Sequence, residues 1–195
     1  NISKSKVIRA DIYKPCEEEV EKYLLAWEQL ENYKMQENAL DKLFFHTYPH
    51  NRNIEDILVK VATLNDFYST NIFSGYMVAN HILELNIDER LNAGDDTIVN
   101  EIAEIVTNDG KTKNFYSFAT KYCSHHRPFE YAIYDSYVDR VLRYYRNVDG
   151  FADFEDMDLR NYVLKEKNNE FKTLNDEINE LNEKISEYSN IESLV

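Results

Sequence analysis

The chain reads as an all-α protein, a compact multi-helix domain, and three features carry that expectation. Only four glycines and three prolines interrupt 195 residues, so turn punctuation is sparse. Apolar residues recur at intervals of three and four along most of the length, the period of a helix with one buried face. No alternating run longer than "YAIY" at 131–134 suggests a strand.

Each element follows from a local signal. Pro15 and the acids Glu17, Glu18 and Glu19 open a first helix, with proline in the first turn and negative charge at the positive end of the helix dipole. Val20, Leu24, Trp27 and Leu30 then form its stripe. Leu40, Leu43 and Phe44 mark a second apolar pattern, ending in the loop-like "TYPHNRN". A third helix spans about 54–71, with Ile57, Leu58, Val61, Leu64 and Tyr68 on one face and a polar end (Asn65, Asp66, Ser69, Thr70, Asn71) of the kind that borders a cleft. Residues 76–85 and 97–106 read as the fourth and fifth helices, and "TNDGK" at 107–111 as a turn. The next helix, 114–126, carries Phe115, Phe118, Ala119, Tyr122, Cys123 and His126 as its stripe, which leaves Lys121 facing solvent beside Asn114 and Ser117. Pro128 forces an extended connection. Asp135 then caps a helix to about residue 146.

The last thirty residues change character. Phe171, Leu174, Ile178, Leu181, Ile185 and Tyr188 alternate spacings of three and four, a short heptad seam. The expected organisation is a helical domain over 1–160 and an amphipathic helix over 161–195. That helix either packs on its own domain or serves residues 164–188 as a coiled-coil surface for a protein partner or a second copy.

The net charge is −14, which argues against a generic nucleic-acid coat. Yet residues 111–146 hold seven Lys/Arg against three acids, one basic island in an acidic chain. Two cysteines make no disulfide framework, and no eighteen-residue apolar span or signal peptide is visible, so a cytoplasmic setting without membrane attachment is expected. A zinc site at Cys123, His125 and His126 lacks a second spaced ligand pair, and no glycine-rich nucleotide loop exists; no metal and no cofactor are expected. Asp135 is the chemical candidate, because a carboxylate that accepts helix N-terminal amides is held ionised and can stabilise a developing cation. The bland alternative is a cap and nothing more.

In order and spacing, "ILVKVATLNDFYSTNIFSGYMVANHIL", "SFATKYCSHHRP" and "YAIYDSYVDRVLRYY" resemble segments of the helix-hairpin-helix DNA glycosylase superfamily, and within it the bacterial 8-oxoguanine DNA glycosylase-like proteins. The resemblance covers roughly 54–146. It implies a glycosylase-type helical fold and hydrolysis of the N-glycosidic bond of a flipped base. Asp135 would then stabilise positive charge on the deoxyribose, and Lys121 would be the amine for a lyase step. Asn65 would fill the gap left by the flipped nucleotide, with Lys113, Arg127, Arg140 and Arg143 contacting DNA. The superfamily's glycine-rich hairpin is missing, only Gly110 standing nearby, and the interval from Lys121 to Asp135 is shorter than usual, so Lys113 remains an alternative lysine. The rival reading is a non-catalytic helical module that keeps the architecture and acts through its acidic surface or C-terminal helix.

Overall fold

A computed structural model of the chain describes residues 16–107, 109–150, 160, 163 and 172–180. The chain divides into two compact units, Asn1–Asn38 and Ala39–Val195. The described residues are mostly helical, as the spacing predicts. In chain order the helices are α1 (Glu17–Glu28), α2 (Glu31–Asp41), a π-helical turn (Lys42–Thr47), α3 (Ile54–Tyr68), α4 (Gly75–Leu85), α5 (Asp88–Asn92), α6 (Thr97–Ala103), α7 (Tyr116–His126) and α8 (Ser136–Asp149). Among the described residues no helix is long and apolar enough to cross a membrane.

One element departs from a purely helical chain. The expected fifth helix stops at Ala103, and Glu104–Val106 (β1) pairs antiparallel with Thr112–Asn114 (β2), Ile105 opposite Lys113. The β-branched residues Ile105, Val106 and Thr112 suit an extended ladder, and Gly110, at φ +76°, supplies the left-handed turn residue between the strands. Phe115 donates to the Ala103 carbonyl at 2.8 Å and carries the ladder to the first residue before α7. The result is a helix–β-hairpin–helix unit in which α6 and α7 pack on each other.

The core lies where α3 meets α4 and α7, and where α6 meets α4 and α7. Ile57, Val61 and Leu64 of α3, Ile82 of α4, Ile98 and Ile102 of α6, and Phe118 and Tyr122 of α7 are all buried there. The π-helical turn contributes Phe44, edge-on to Tyr122 at 5.5 Å between ring centroids. The single-turn α5 had no visible period because five residues are too few to show one; Arg90 anchors it, bonding Asp95 at 2.7 Å and Glu101 at 2.6 Å.

Helix α1 forms as its capping acids suggest, but none of its residues is buried, and Leu24 and Leu25 are more than 60% exposed. Residues 172–180 are helical, and Leu174 and Ile178 of the heptad seam are exposed. The other seam positions, Phe171, Leu181, Ile185 and Tyr188, lie outside the described residues.

Candidate functional site

Two features of α7 and the segment after it build the site. Pro128 ends the helix, and the extended stretch that follows is tied back by Thr120, whose hydroxyl donates to the Tyr134 carbonyl and accepts from the Tyr134 amide, both at 3.1 Å. That clasp delivers Asp135 to the flank of α7. The Asp135 carboxylate caps α8 as expected, accepting from the amides of Tyr137 at 2.9 Å and Val138 at 3.1 Å.

Lys121 is where the sequence reading goes wrong. Expected on the wet side of α7, it is only 4% exposed. The cause is what covers it: the start of α8 and the ring of Tyr68, 5.3 Å from the ammonium. Its Nζ donates to Ser117 Oγ, one turn earlier, at 2.9 Å and to Asp135 Oδ2 at 3.3 Å. Burial lowers the Lys121 pKa, with Asp135 partly offsetting the effect. Burial opposes ionisation of Asp135 too, but the Val138 amide, the Lys121 ammonium and the Tyr137 amide together hold its carboxyl below the usual range. A buried amine thus sits against an ionised carboxylate at a helix N-terminus. Beside the pair is an open recess of about 420 Å³ lined by Asn114, Tyr116, Ser117, Asp135, Asp139 and Arg160 among others.

The remaining expected residues do not gather there. Asn65 is consumed by its own turn: its amide nitrogen donates to the Ile72 carbonyl, and its oxygen accepts from the Ile72 amide and the Thr70 hydroxyl. In this conformation it has nothing to insert into a duplex. The polar end of α3 does border a hollow, an open one of about 520 Å³. Arg127 sits at the far end of α7, bonded to Asn92. Lys113 is exposed on β2. Arg140 lies over the Tyr137 ring at 5.0 Å, and Arg143 is paired with Asp139 at 2.6 Å. Lys111 is paired with Asp109 at 2.8 Å. The basic island of the sequence is therefore partly neutralised and spread over several elements.

A second polar cluster went unnoticed in the sequence. Lys60 of α3 is fully buried. Its ammonium donates to the carbonyls of Tyr48 and His50, at 3.1 and 3.0 Å, and to Asn51 Oδ1 at 2.6 Å, and lies 3.2 Å from His126 Nε2. Asn51 in turn donates twice to Asp88 and accepts from Tyr122 at 2.6 Å. Burial, then the Lys60 cation, hold the His126 pKa well below its ordinary value, so its ring is the neutral acceptor. The signal was available: 57, 60, 61 and 64 are one helical stripe, and a lysine stands in it. His125 bonds Tyr68 at 3.1 Å, and Cys123 is buried with its thiol pushed far up by desolvation, so the cysteine–histidine run of α7 is packed interior.

Comparison with known proteins places a match over most of this core. The model of the family HI_0787_N, described as an N-terminal domain, matches residues 19–130. Over 110 residues the chain is 53% identical to an uncharacterized protein of Haemophilus influenzae (strain ATCC 51907 / DSM 11121 / KW20 / Rd), a match covering 56% of this chain and 54% of that protein. The chain thus spans about half the length of the curated relative it matches. No solved structure matches the chain.

Proposed function

From the premise that this chain belongs to the HI_0787_N family, whose match takes in Lys121 but ends before Asp135, we propose that it is a DNA N-glycosylase-like protein of helix-hairpin-helix type. The observation that carries the reading is the Lys121 ammonium, buried and 3.3 Å from the Asp135 carboxylate at the N-terminus of α8. Between α6 and α7 stands a β-hairpin, β1 and β2, with Gly110 in its turn in place of the superfamily's glycine-rich loop.

Glycosidic cleavage leaves positive charge on the sugar as the base departs with the bonding electrons. An ionised carboxylate preorganised by two amides and a lysine stabilises that charge without rearranging. The amine of Lys121, once its proton has passed to solvent or the leaving base, is the group able to attack C1′ and form the covalent lyase intermediate. Water serves in the hydrolytic branch.

The test is incubation with a panel of lesion-bearing duplexes at low salt. Asp135→Asn is the informative variant because asparagine caps a helix about as well as aspartate. It should keep the fold and lose cleavage by two or more orders of magnitude, on the order of an electrostatic group removed from a reacting centre. Lys121→Gln should abolish borohydride trapping of the protein on abasic DNA. A wild-type protein that neither cleaves any lesion nor traps would sink the reading.

A second reading, a non-catalytic helical module, draws on other observations. Lys111 and Arg143 are spent on neighbouring acids, and α1 presents an uncovered face with Leu24 and Trp27. On that reading Asp135→Asn changes nothing measurable on DNA.

A further inference from the structure

His126 closes α7 with one ring nitrogen inside the buried cluster of Lys60 and Asn51. That nitrogen, Nε2, lies 3.2 Å from both Lys60 Nζ and Asn51 Nδ2. The Asn51 amide has one workable orientation, because its oxygen accepts from Lys60 and the Tyr122 hydroxyl while its nitrogen donates to Asp88. A proton on His126 Nε2 would therefore point at two donors, one of them a cation. Burial and Lys60 keep the ring neutral, so its single proton sits on Nδ1. The Nδ1–H has no hydrogen-bond partner among the described residues, yet it is not sealed in. Among those residues the buried side-chain polar atom left unpaired is the Tyr116 hydroxyl. Nδ1 thus keeps a path to solvent, and His126 lines an open recess of about 260 Å³ at its end of α7.

The walls of this recess select a class of ligand. Phe44, Phe45, Pro49 and Leu91 supply apolar surface. Arg127, next to His126 in the chain, gives one guanidinium nitrogen to Asn92 and keeps its other N–H groups, a planar fork suited to a carboxylate. The charges agree: the cations Lys60, Arg52 and Arg127 stand against one carboxylate, Asp88. That carboxylate already accepts from the Asn51 backbone and side chain, and has Arg52 at 3.4 Å and His50 at 3.8 Å. Its charge still disfavours a dianion. The volume falls just under the range of about 300–1,000 Å³ that holds drug-sized ligands, so the occupant is small. We propose that the recess binds a small monocarboxylic acid with an apolar body, its carboxylate held by the Arg127 guanidinium and the His126 Nδ1–H, and its body against Phe44, Phe45 and Leu91. The site shares no residue with the recess beside Asp135 and does not depend on the glycosylase reading.

Benzoate, benzamide and benzylamine share a ring and differ in the head group, so they separate an anion, a neutral amide and a cation. Calorimetric or NMR titration of the full chain at neutral pH should give saturable benzoate binding at millimolar concentration or tighter, at least fivefold stronger than either of the others. A long-range proton–nitrogen correlation spectrum of the isotope-labelled chain should show His126 as the Nδ1–H tautomer, its ring signals shifting as benzoate is added. That readout needs no variant. Arg127→Gln should weaken benzoate at least fivefold and leave the melting temperature within a few degrees, since the side chain is only partly buried. An Nε2–H tautomer, no saturable benzoate binding, equal binding of benzamide or benzylamine, or benzoate affinity that survives Arg127→Gln would each overturn the proposal.

Discussion

Lys60 shows how much a single side chain can decide. Burial lowers its pKa from the ordinary 10.5 to about 8, with Asp88 and Asp56 pulling the other way. Between those values the unfolded chain binds a proton that the folded chain has released. Stability therefore rises with pH through that window, and the burden is fully present below pH 8. A difference of that size corresponds to about 3 kcal/mol. Lys60→Met should erase this slope. It should also strip the donor from the Tyr48 and His50 carbonyls, costing about 1–3 kcal/mol at neutral pH. Urea unfolding of both proteins at pH 7.5 and pH 10 checks the pair of expectations, and parallel pH dependence would show that Lys60 is not the source. The same scale shows what sequence reading sees. Asp135 was legible because a cap has a local signature, an aspartate that ends an extended segment. Lys121 was misplaced because its burial comes from Tyr68 and α8, distant in sequence, which no period within α7 records.

At the scale of elements, long amphipathic helices were readable and short pieces were not. The stripes of α3, α4 and α7 carry enough turns to show a period of 3.6. Strands of three residues, and a five-residue helix anchored by Arg90, do not. The hairpin depends on Gly110, at φ +76° with open space around the position of a missing Cβ. Gly110→Ala should therefore cost only the left-handed backbone penalty of about 1 kcal/mol, with no clash added. Thermal unfolding measures this. A loss several times larger would mean that the hairpin turn carries contacts beyond its own strands. The turn after α3 has a different basis: Ser69 and Asn71 take positive φ without being glycine, and Asn65 braces the turn with three hydrogen bonds to their neighbours Thr70 and Ile72. Phe73, 91% exposed, is presented at its tip.

For the whole molecule, the charge of −14 and the spread of the cations set how DNA binding would look on the proposed reading. Among the described residues Asp109, Asp135 and Asp139 occupy Lys111, Lys121 and Arg143, so few phosphates would be neutralised. The logarithm of the binding constant should fall with the logarithm of salt by a slope no steeper than about −4. Fluorescence anisotropy with a labelled duplex at several salt concentrations gives the slope, and a value near −8 would imply a basic surface that the ion pairs described above rule out. Sequence composition located the positive segment but not its neutralisation, since Asp139 and Arg143, or Asp109 and Lys111, count as separate charges until a turn or a helix brings them together. The cluster of Asn51, Lys60, Asp88 and His126 has a consequence of another kind. Each member satisfies a neighbour that would otherwise be stranded away from water, so the four are energetically coupled. A replacement at one of these positions is therefore expected to cost more alone than beside a matching replacement of its partner, which a double-mutant cycle measures. All four fall inside the stretch shared with the family. An alignment of relatives is therefore expected to show these four positions kept or exchanged together.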